Sequence, residues 1–440
     1  LPAEYEWGES VDTEAGLVIS GATTSDYGLN GLAFIYEIEG TDCVHEDYQA
    51  LMDLYTSTGG PEWKNTAEDN LPWDQSCDPC DGSWYGIECD DNGRVTCIDL
   101  DGEWDCATNS VGSGNNLFGI LSELEFLFLK HFSCANNELS ENIPALDMVP
   151  NLELFDCVDS NLEGEIPALD KVPNLQHFYC SSNKLKGGIP TFDMVSKLEF
   201  FFCAGNDLVG GIPNLNLVPN LISFTCRINN LEGEIPSLDL VPNLKRFDCS
   251  SNNFEGEIPD LDLVPNLEYF NCNANNLDGG IPDLDMVPIL ENFDCENNNL
   301  EEDIPSLDLV PNLTNFKCGY NNLEGEIPHL NLVPNLRIFD CRDNNLEGEI
   351  PHLDFVPKLR YFICNINNLE GGIPDLDLVP DLFWFFCGSN NLEGEIPNLD
   401  KVPDLNSFEC SANNLQGKIP DLDLVPDLFS FLCNDNSLEG

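Results

Sequence analysis

The chain has 440 residues, with 79 Asp and Glu against 17 Lys and Arg, a formal net charge of -62. A surface this acidic repels the phosphates of nucleic acids and anionic membranes, which excludes both as general partners. No run of 18 apolar residues occurs, so no segment reads as a membrane-spanning helix.

In chain order, the sequence opens at Leu1 with no basic stretch leading into an apolar one, as expected of a mature or trimmed secretory product. Residues 1–42 form an extension: residues 28–31 read as a turn and residues 32–39 as a strand carrying Leu32, Phe34 and Tyr36. Residues 43–110 hold six irregularly spaced cysteines, Cys43, Cys77, Cys80, Cys89, Cys97 and Cys106, and a set of aromatics that includes Trp63, Trp73, Trp84 and Tyr85. The CDPC at 77–80 has zinc-ligand spacing, but no second CxxC or paired His follows nearby. Disulfides are the better reading, and they imply an extracellular setting.

From residue 111 to residue 440 a unit recurs every 23 residues, marked by fourteen cysteines from Cys134 to Cys433. Residues 241–263, VPNLKRFDCSSNNFEGEIPDLDL, show it whole. Two residues before the cysteine all fourteen units carry Phe; three after it thirteen carry Asn and one carries Ser160. Leu follows, or Phe254, then Gly, Ile and Pro, an Asp or Asn column from Asp147 to Asp423, and the VPNL-like segment. Leu, Phe and Cys at spacings of three and two point inward from a strand, and the residues between them face solvent. Parallel strands stack roughly 4.8 Å apart, so equivalent residues line up in columns. An Asn side chain has the donors and acceptor to bridge backbone groups of adjacent turns. The Asp column, as in Asp262-Leu263-Val264-Pro265, is placed to cap a short helical turn.

The pattern LxxFxCxxNxLxGxIP resembles the plant-type leucine-rich repeat, LxxLxLxxNxLxGxIP, with Phe and Cys in two leucine positions and one residue fewer between IP and the next strand. It covers roughly three quarters of the chain. The resemblance implies an α/β solenoid: a leucine-rich-repeat superhelix with short parallel strands on one face and mostly irregular or 3-10 turns on the other. Residues 43–100, through DYQAL at 47–51, STGGPEWKN at 57–65 and DPCDGSWYGIECDDNGRV at 78–95, are similar to the amino-terminal cap of the same family. That resemblance implies Cys43 with Cys77 and Cys80 with Cys89, leaving Cys97 and Cys106 to close a local loop. The chain departs from the family at residues 101–115, a Gly- and Asn-rich insertion.

The fourteen ladder cysteines read as small buried hydrophobes in leucine sites; disulfides between successive turns are the rival reading. The sequence stops within a repeat, so Phe431, Leu432 and Leu438 would form an open apolar end. Either a further stretch of chain covers that end, or, together with Leu32, Phe34 and Tyr36, it mediates head-to-tail assembly into a filament, since a heterologous contact that does not close generates a fibre.

Recognition would lie where the repeat varies. Tyr179, Phe200, Phe202, Tyr269, Tyr361, Trp384 and Phe386 take outward strand positions, and exposed aromatics suit protein or carbohydrate ligands. The scarce basic residues Arg227, Arg246, Lys317, Arg342 and Arg360 lie on or beside that face and would suit an acidic or sulfated ligand. Glu232, Glu234, Glu255, Glu257, Glu324, Glu326, Glu347 and Glu349 form columns on another flank, where calcium would bind only diffusely, since no EF-hand-like loop is present. No cofactor, dedicated metal site or catalytic constellation stands out from the repeating background. Asn312-Leu313-Thr314 is the single glycosylation sequon. The expectation is a non-enzymatic, secreted or cell-surface protein whose partner is itself, in a head-to-tail structural or adhesive polymer. The second reading is a recognition module, receptor-ectodomain-like or polygalacturonase-inhibitor-like, that binds another extracellular protein or glycan on the strand face.

Overall fold

A computed structural model describes residues 45–64, 77–102 and 113–439, with Cys43, Trp73 and the backbone of strands Leu17–Ser20 and Phe34–Glu37. The two strands pair antiparallel with each other as a separate sheet. Leu32 and Cys106 lie outside the described residues.

The repeat dictates a three-residue strand with Phe in its centre, and such a strand can bury only one side chain. Stacking supplies the rest. Fourteen such strands, from His131–Ser133 to Ser430–Leu432, run parallel in a 16-stranded sheet completed by the hairpin Ile87–Cys89 and Val95–Asp99. Registers place Phe on Phe from turn to turn, as in Phe132↔Phe155 and Phe408↔Phe431. Every ring therefore stacks on the next at 5.4–5.7 Å with 12–17° between planes. Such pairs add about 0.5–1.5 kcal/mol each beyond their buried area. We number the turns 1 to 14 by their cysteines, Cys134 to Cys433.

Thirteen of those cysteines are buried, Cys433 is half-buried, and all fourteen are free thiols. Burial pushes their pKa values up, to about 12 at Cys410, so they stay protonated and behave as hydrophobes filling the space beside the Phe column.

The Asn ladder closes each corner. Asn252 donates to the carbonyls of Cys226 in the turn before and of Cys249 and Ser250 in its own, at 3.1–3.2 Å, and accepts from the Leu231 N–H at 3.0 Å. In turn 2 the Ser160 hydroxyl keeps the bond to Cys134 O at 2.9 Å, and the Ser160 carbonyl accepts from Leu139 N–H at 3.0 Å. Beyond the corner, the glycine-bearing segments of turns 4 to 7 (LVGG, LEGE, FEGE and LDGG) form a second parallel sheet of four strands, Val209–Gly210 to Asn276–Asp278, which the sequence reading had not anticipated.

On the far side, the VPNL segments make turns closed by bonds such as Leu267 N–H to Val264 O at 2.9 Å. Here the expected Asp caps are displaced. The accepting side chains stand two residues before the Asp column: Ser237, Ser306, Asp375 and Asp421 take the N–H of Asp239, Asp308, Asp377 and Asp423. Inside the solenoid the only helical segment among the described residues is the 3-10 turn Leu215–Leu217.

The amino-terminal end is closed by helix Tyr48–Ser57, whose Leu51 and Leu54 are fully buried, and by an aromatic cluster. Trp63 meets Trp73 edge-on at 4.8 Å, and Trp73 stacks on Trp84 at 5.2 Å. Disulfides join Cys43 to Cys77 and Cys80 to Cys89, with Cα atoms 4.8 and 5.6 Å apart. Cys97 is disulfide-bonded as well. The chain re-enters the repeat at Asn115 and Leu117, whose N–H groups are both accepted by Asn137.

Candidate functional site: the variable strand face

Because Phe takes the inward position of each strand, the residues on either side of it point out, and these positions vary. They gather into two aromatic patches. In turns 3 and 4, His177, Tyr179, Phe200 and Phe202 lie with ring centroids 4.9–6.1 Å apart. In turns 11 and 12, Tyr361 meets Trp384 at 5.2 Å, and Trp384 stacks on Phe386 at 5.5 Å. Phe383 extends this second patch, and the Arg360 guanidinium lies 5.7 Å from its ring. The two patches are seven strand spacings apart, about 34 Å.

Between them the face is charged. The Arg246 guanidinium lies 3.5 Å over the Tyr269 ring and 3.2 Å from Asp248. Lys245 pairs with Glu268 at 2.8 Å, Lys317 with Asp294 at 3.5 Å, and Arg342 with Asp340 in a fork of hydrogen bonds. Arg227 is exposed. Apart from Arg227 and Arg360, the basic residues picked from the sequence are thus already neutralised by carboxylates two residues away or on the neighbouring strand. The charge they were expected to offer an acidic or sulfated ligand is largely cancelled. Two carboxyls on this face sit above the usual range: burial, with Asp101 nearby, pushes Asp156 up to about 6, and burial with Asp340 and Asp294 pushes Glu296 up to about 7.

Several residues of this surface escaped the sequence reading: His177, Phe383, Glu296, Tyr320, Ile228 and Ile366. The last three share the corner column two residues after the cysteine, where the backbone is left-handed at φ 55°, 55° and 59°. Gly, Asn, Asp and Ser suit that column, and an exposed Ile or Tyr there is out of place. That signal was available in the aligned repeats.

The solenoid also has an apolar ridge on its back, formed by the residue before each Val: Met194, Leu240, Leu263, Met286, Leu309 and Leu378 are each 52–55% exposed. The ridge repeats Leu or Met at most turns, interrupted by Lys171, Phe355 and Lys401, and so varies less than the strand face.

The remaining expectations fall elsewhere. Asn312 is exposed, with Leu313 buried beside it and the Thr314 hydroxyl donating to Glu291 O at 2.9 Å. Phe431 and Leu438 are half-buried against the core and Leu432 is exposed, while Phe34 and Tyr36 lie in the strand paired with Leu17–Ser20. His45, Asp78 and Cys80 approach within 4.8 Å of one another, but the Cys80 sulfur is engaged with Cys89, which removes it as a metal ligand. No helix among the described residues is long and apolar enough to cross a membrane.

The family model for the leucine-rich repeat matches residues 243–261. No curated protein matches the chain by sequence. Among solved structures, the chain is similar to the Arabidopsis receptor kinase HAESA, solved with the peptide hormone IDA and the co-receptor SERK1, at 24% identity and TM-score 0.74, over 90% of this chain and 66% of that one. It is also similar to a TDR receptor, at 25% identity and TM-score 0.69 over 74% of this chain and 59% of that one. The plant peptide hormone receptor RGFR1, in complex with RGF2, matches at 26% identity and TM-score 0.64 over 74% and 58%. The chain thus spans 58 to 66% of the length of these receptors. Fourteen stacked turns, a Phe and an Asn ladder and this likeness give the chain the fold of a leucine-rich-repeat solenoid.

Proposed function

We propose that this chain is an extracellular, non-catalytic recognition module that binds an extended peptide or protein segment across its strand face. The observation that carries the reading is where variation falls: the ladder columns are nearly uniform, and the departures concentrate in two aromatic patches joined by a charged strip. The span of about 34 Å matches roughly ten residues of extended chain. Aromatic side chains supply large contact area at low entropic cost and are the usual anchors of such surfaces. The disulfides of the cap support an oxidising compartment. The similarity to receptors solved with peptide ligands supports a peptide as the ligand class. Within the module, the cap at 43–110 closes the solenoid at 111–440, and Asn312 is a glycan acceptor.

The head-to-tail filament draws no comparable support, since its amino-terminal strand pairs internally and nothing among the described residues links the two ends. The reading is tested by selecting binders from a displayed library of random peptides and cross-linking them to the chain. Cross-links confined to turns 3 to 12 of the strand face are expected; cross-links confined to the back ridge or the flanking Glu columns would overturn it.

A further inference from the structure

The residue that leads into each strand of the face, just before its first outward position, forms a column along the rim. That column holds four basic residues, and two of them follow a simple pairing. Lys130 is answered on the next turn by Glu153, 3.1 Å away, and Lys245 by Glu268, at 2.8 Å. Arg337 and Arg360 break the pattern. The parallel register sets them side by side on turns 10 and 11, with the Arg360 N–H bonded to Arg337 O at 2.9 Å, and the next residue of the column is Phe383.

Both arginines are exposed, and among the described residues neither guanidinium is paired with a carboxylate. Arg360 leans on the second aromatic patch instead, 5.7 Å from the Phe383 ring and 5.9 Å from that of Tyr361. Rings at that distance hold the charge weakly and leave its N–H donors without an oxygen acceptor. On the other side of Arg337 the column carries Thr314, whose hydroxyl donates to Glu291 O at 2.9 Å and brings no countercharge. Two like charges about 4.8 Å apart repel each other. A chain with 79 carboxylates to its 17 basic residues has ample means to neutralise the pair, yet at this rim it does not.

We propose that Arg337 and Arg360 form a subsite for a carboxylate of the bound peptide, the side chain of a glutamate or aspartate whose neighbour in the peptide packs on the second aromatic patch. The proposal rests on the strand-face reading and narrows its ligand to a peptide that is acidic at one point. An ionised carboxylate has about four lone-pair sites and takes N–H bonds from both guanidiniums, which replaces their mutual repulsion with a shared attraction. A side chain is the source, rather than the end of the peptide, because turn 10 lies between the two aromatic patches. A segment that spans both patches continues past turn 10 in each direction. The acidity of the whole chain does not prevent such binding, since exposed charges farther off than about 8 Å are largely screened at physiological salt.

The test uses the full chain and three peptides: acetyl-Ala-Glu-Trp-Phe-Ala-amide, the same peptide with Gln for Glu, and that Gln peptide with a free terminal carboxylate. Calorimetry should show the Glu peptide binding about tenfold more tightly than its amidated Gln counterpart. Arg337→Gln combined with Arg360→Gln should abolish the preference. Lys184→Gln combined with Lys186→Gln, which removes the same charge from the flank of turn 3, should leave it intact. Equal affinities, no binding by any peptide at millimolar concentration, or a preference that survives the double arginine variant would each overturn the proposal. A third peptide as tight as the first would overturn it too, by assigning the subsite to the end of the peptide. Failure here is distinct from failure of the strand-face reading, which is read by Trp384→Ser: that change should weaken the Glu and Gln peptides alike whether or not the arginines discriminate between them, and no weakening of either would overturn that reading.

Discussion

Ile228 and Ile366 are β-branched residues held at φ 55° and 59° with roughly half of their surface exposed, so neither their backbone nor their burial favours them. A left-handed non-glycine residue costs about 1–2 kcal/mol, and Asn bears the least of that cost after Gly. Ile228→Asn should therefore stabilise the fold by about 1 kcal/mol in chemical denaturation while weakening ligand binding; a loss of stability would show that the isoleucine packs in a way the corner geometry does not reveal. Asp156 gives a second residue-scale effect. Its pKa, up to about 6 in the fold, lies above its value of 3.8 in the unfolded chain, so the native state binds the extra proton between those values. Its contribution is complete below pH 4 and is lost as pH rises through 6, on the order of 2–3 kcal/mol. Asp156→Asn should flatten the fall in melting temperature between pH 4 and pH 7; an unchanged pH profile would rule Asp156 out as its source. At this scale the sequence was legible where a residue has one chemical option, as with the ladder Asn. It was not legible at Glu296 or Arg342, whose meaning depends on which neighbour each side chain reaches.

Among the elements, the Asn corner matters more than the strand it follows, because a three-residue strand has little stability alone. Asn252→Ala removes three donated bonds and one accepted bond and leaves the buried Leu231 N–H without its acceptor, while Cys226 O keeps the bond from Asn229. A cost of about 3 kcal/mol is expected, measured by urea denaturation; a cost below about 0.5 kcal/mol would mean that water replaces the ladder. Ser160 shows how the fold tolerates a shorter side chain, since its own carbonyl takes over the acceptor role. The strands, the corner and the inward Phe could be read from spacing, because period two and the ladder chemistry are local. The second sheet could not: its segments contain glycine at positive φ, as at Gly233 and Gly256, and read as turns until stacking brings them together. The caps of the VPNL turns were placed two residues late for a related reason, since Asp and Asn occur at both positions and only geometry distinguishes them.

For the whole molecule, one repeat sets the architecture, and in the function proposed above the variable columns set what the surface recognises. The uniform Phe, Cys, Asn and Leu columns make a rigid rack, which is why the solenoid could be read from the sequence almost entire. The face it presents was legible as a list of aromatic residues, but their division into two patches about 34 Å apart and the pairing of the basic residues required the structure. The central claim is that recognition resides in those departures from the repeat. The most direct measurement is the affinity of a selected peptide ligand for a variant carrying Ser at Tyr179, Phe200, Phe202, Tyr361, Trp384 and Phe386, compared with the native chain. The ladder remains intact, so the variant should fold with a similar melting temperature and bind at least about a hundredfold more weakly, some 2.7 kcal/mol. An affinity unchanged in a folded variant would place recognition elsewhere on the solenoid and contradict the account.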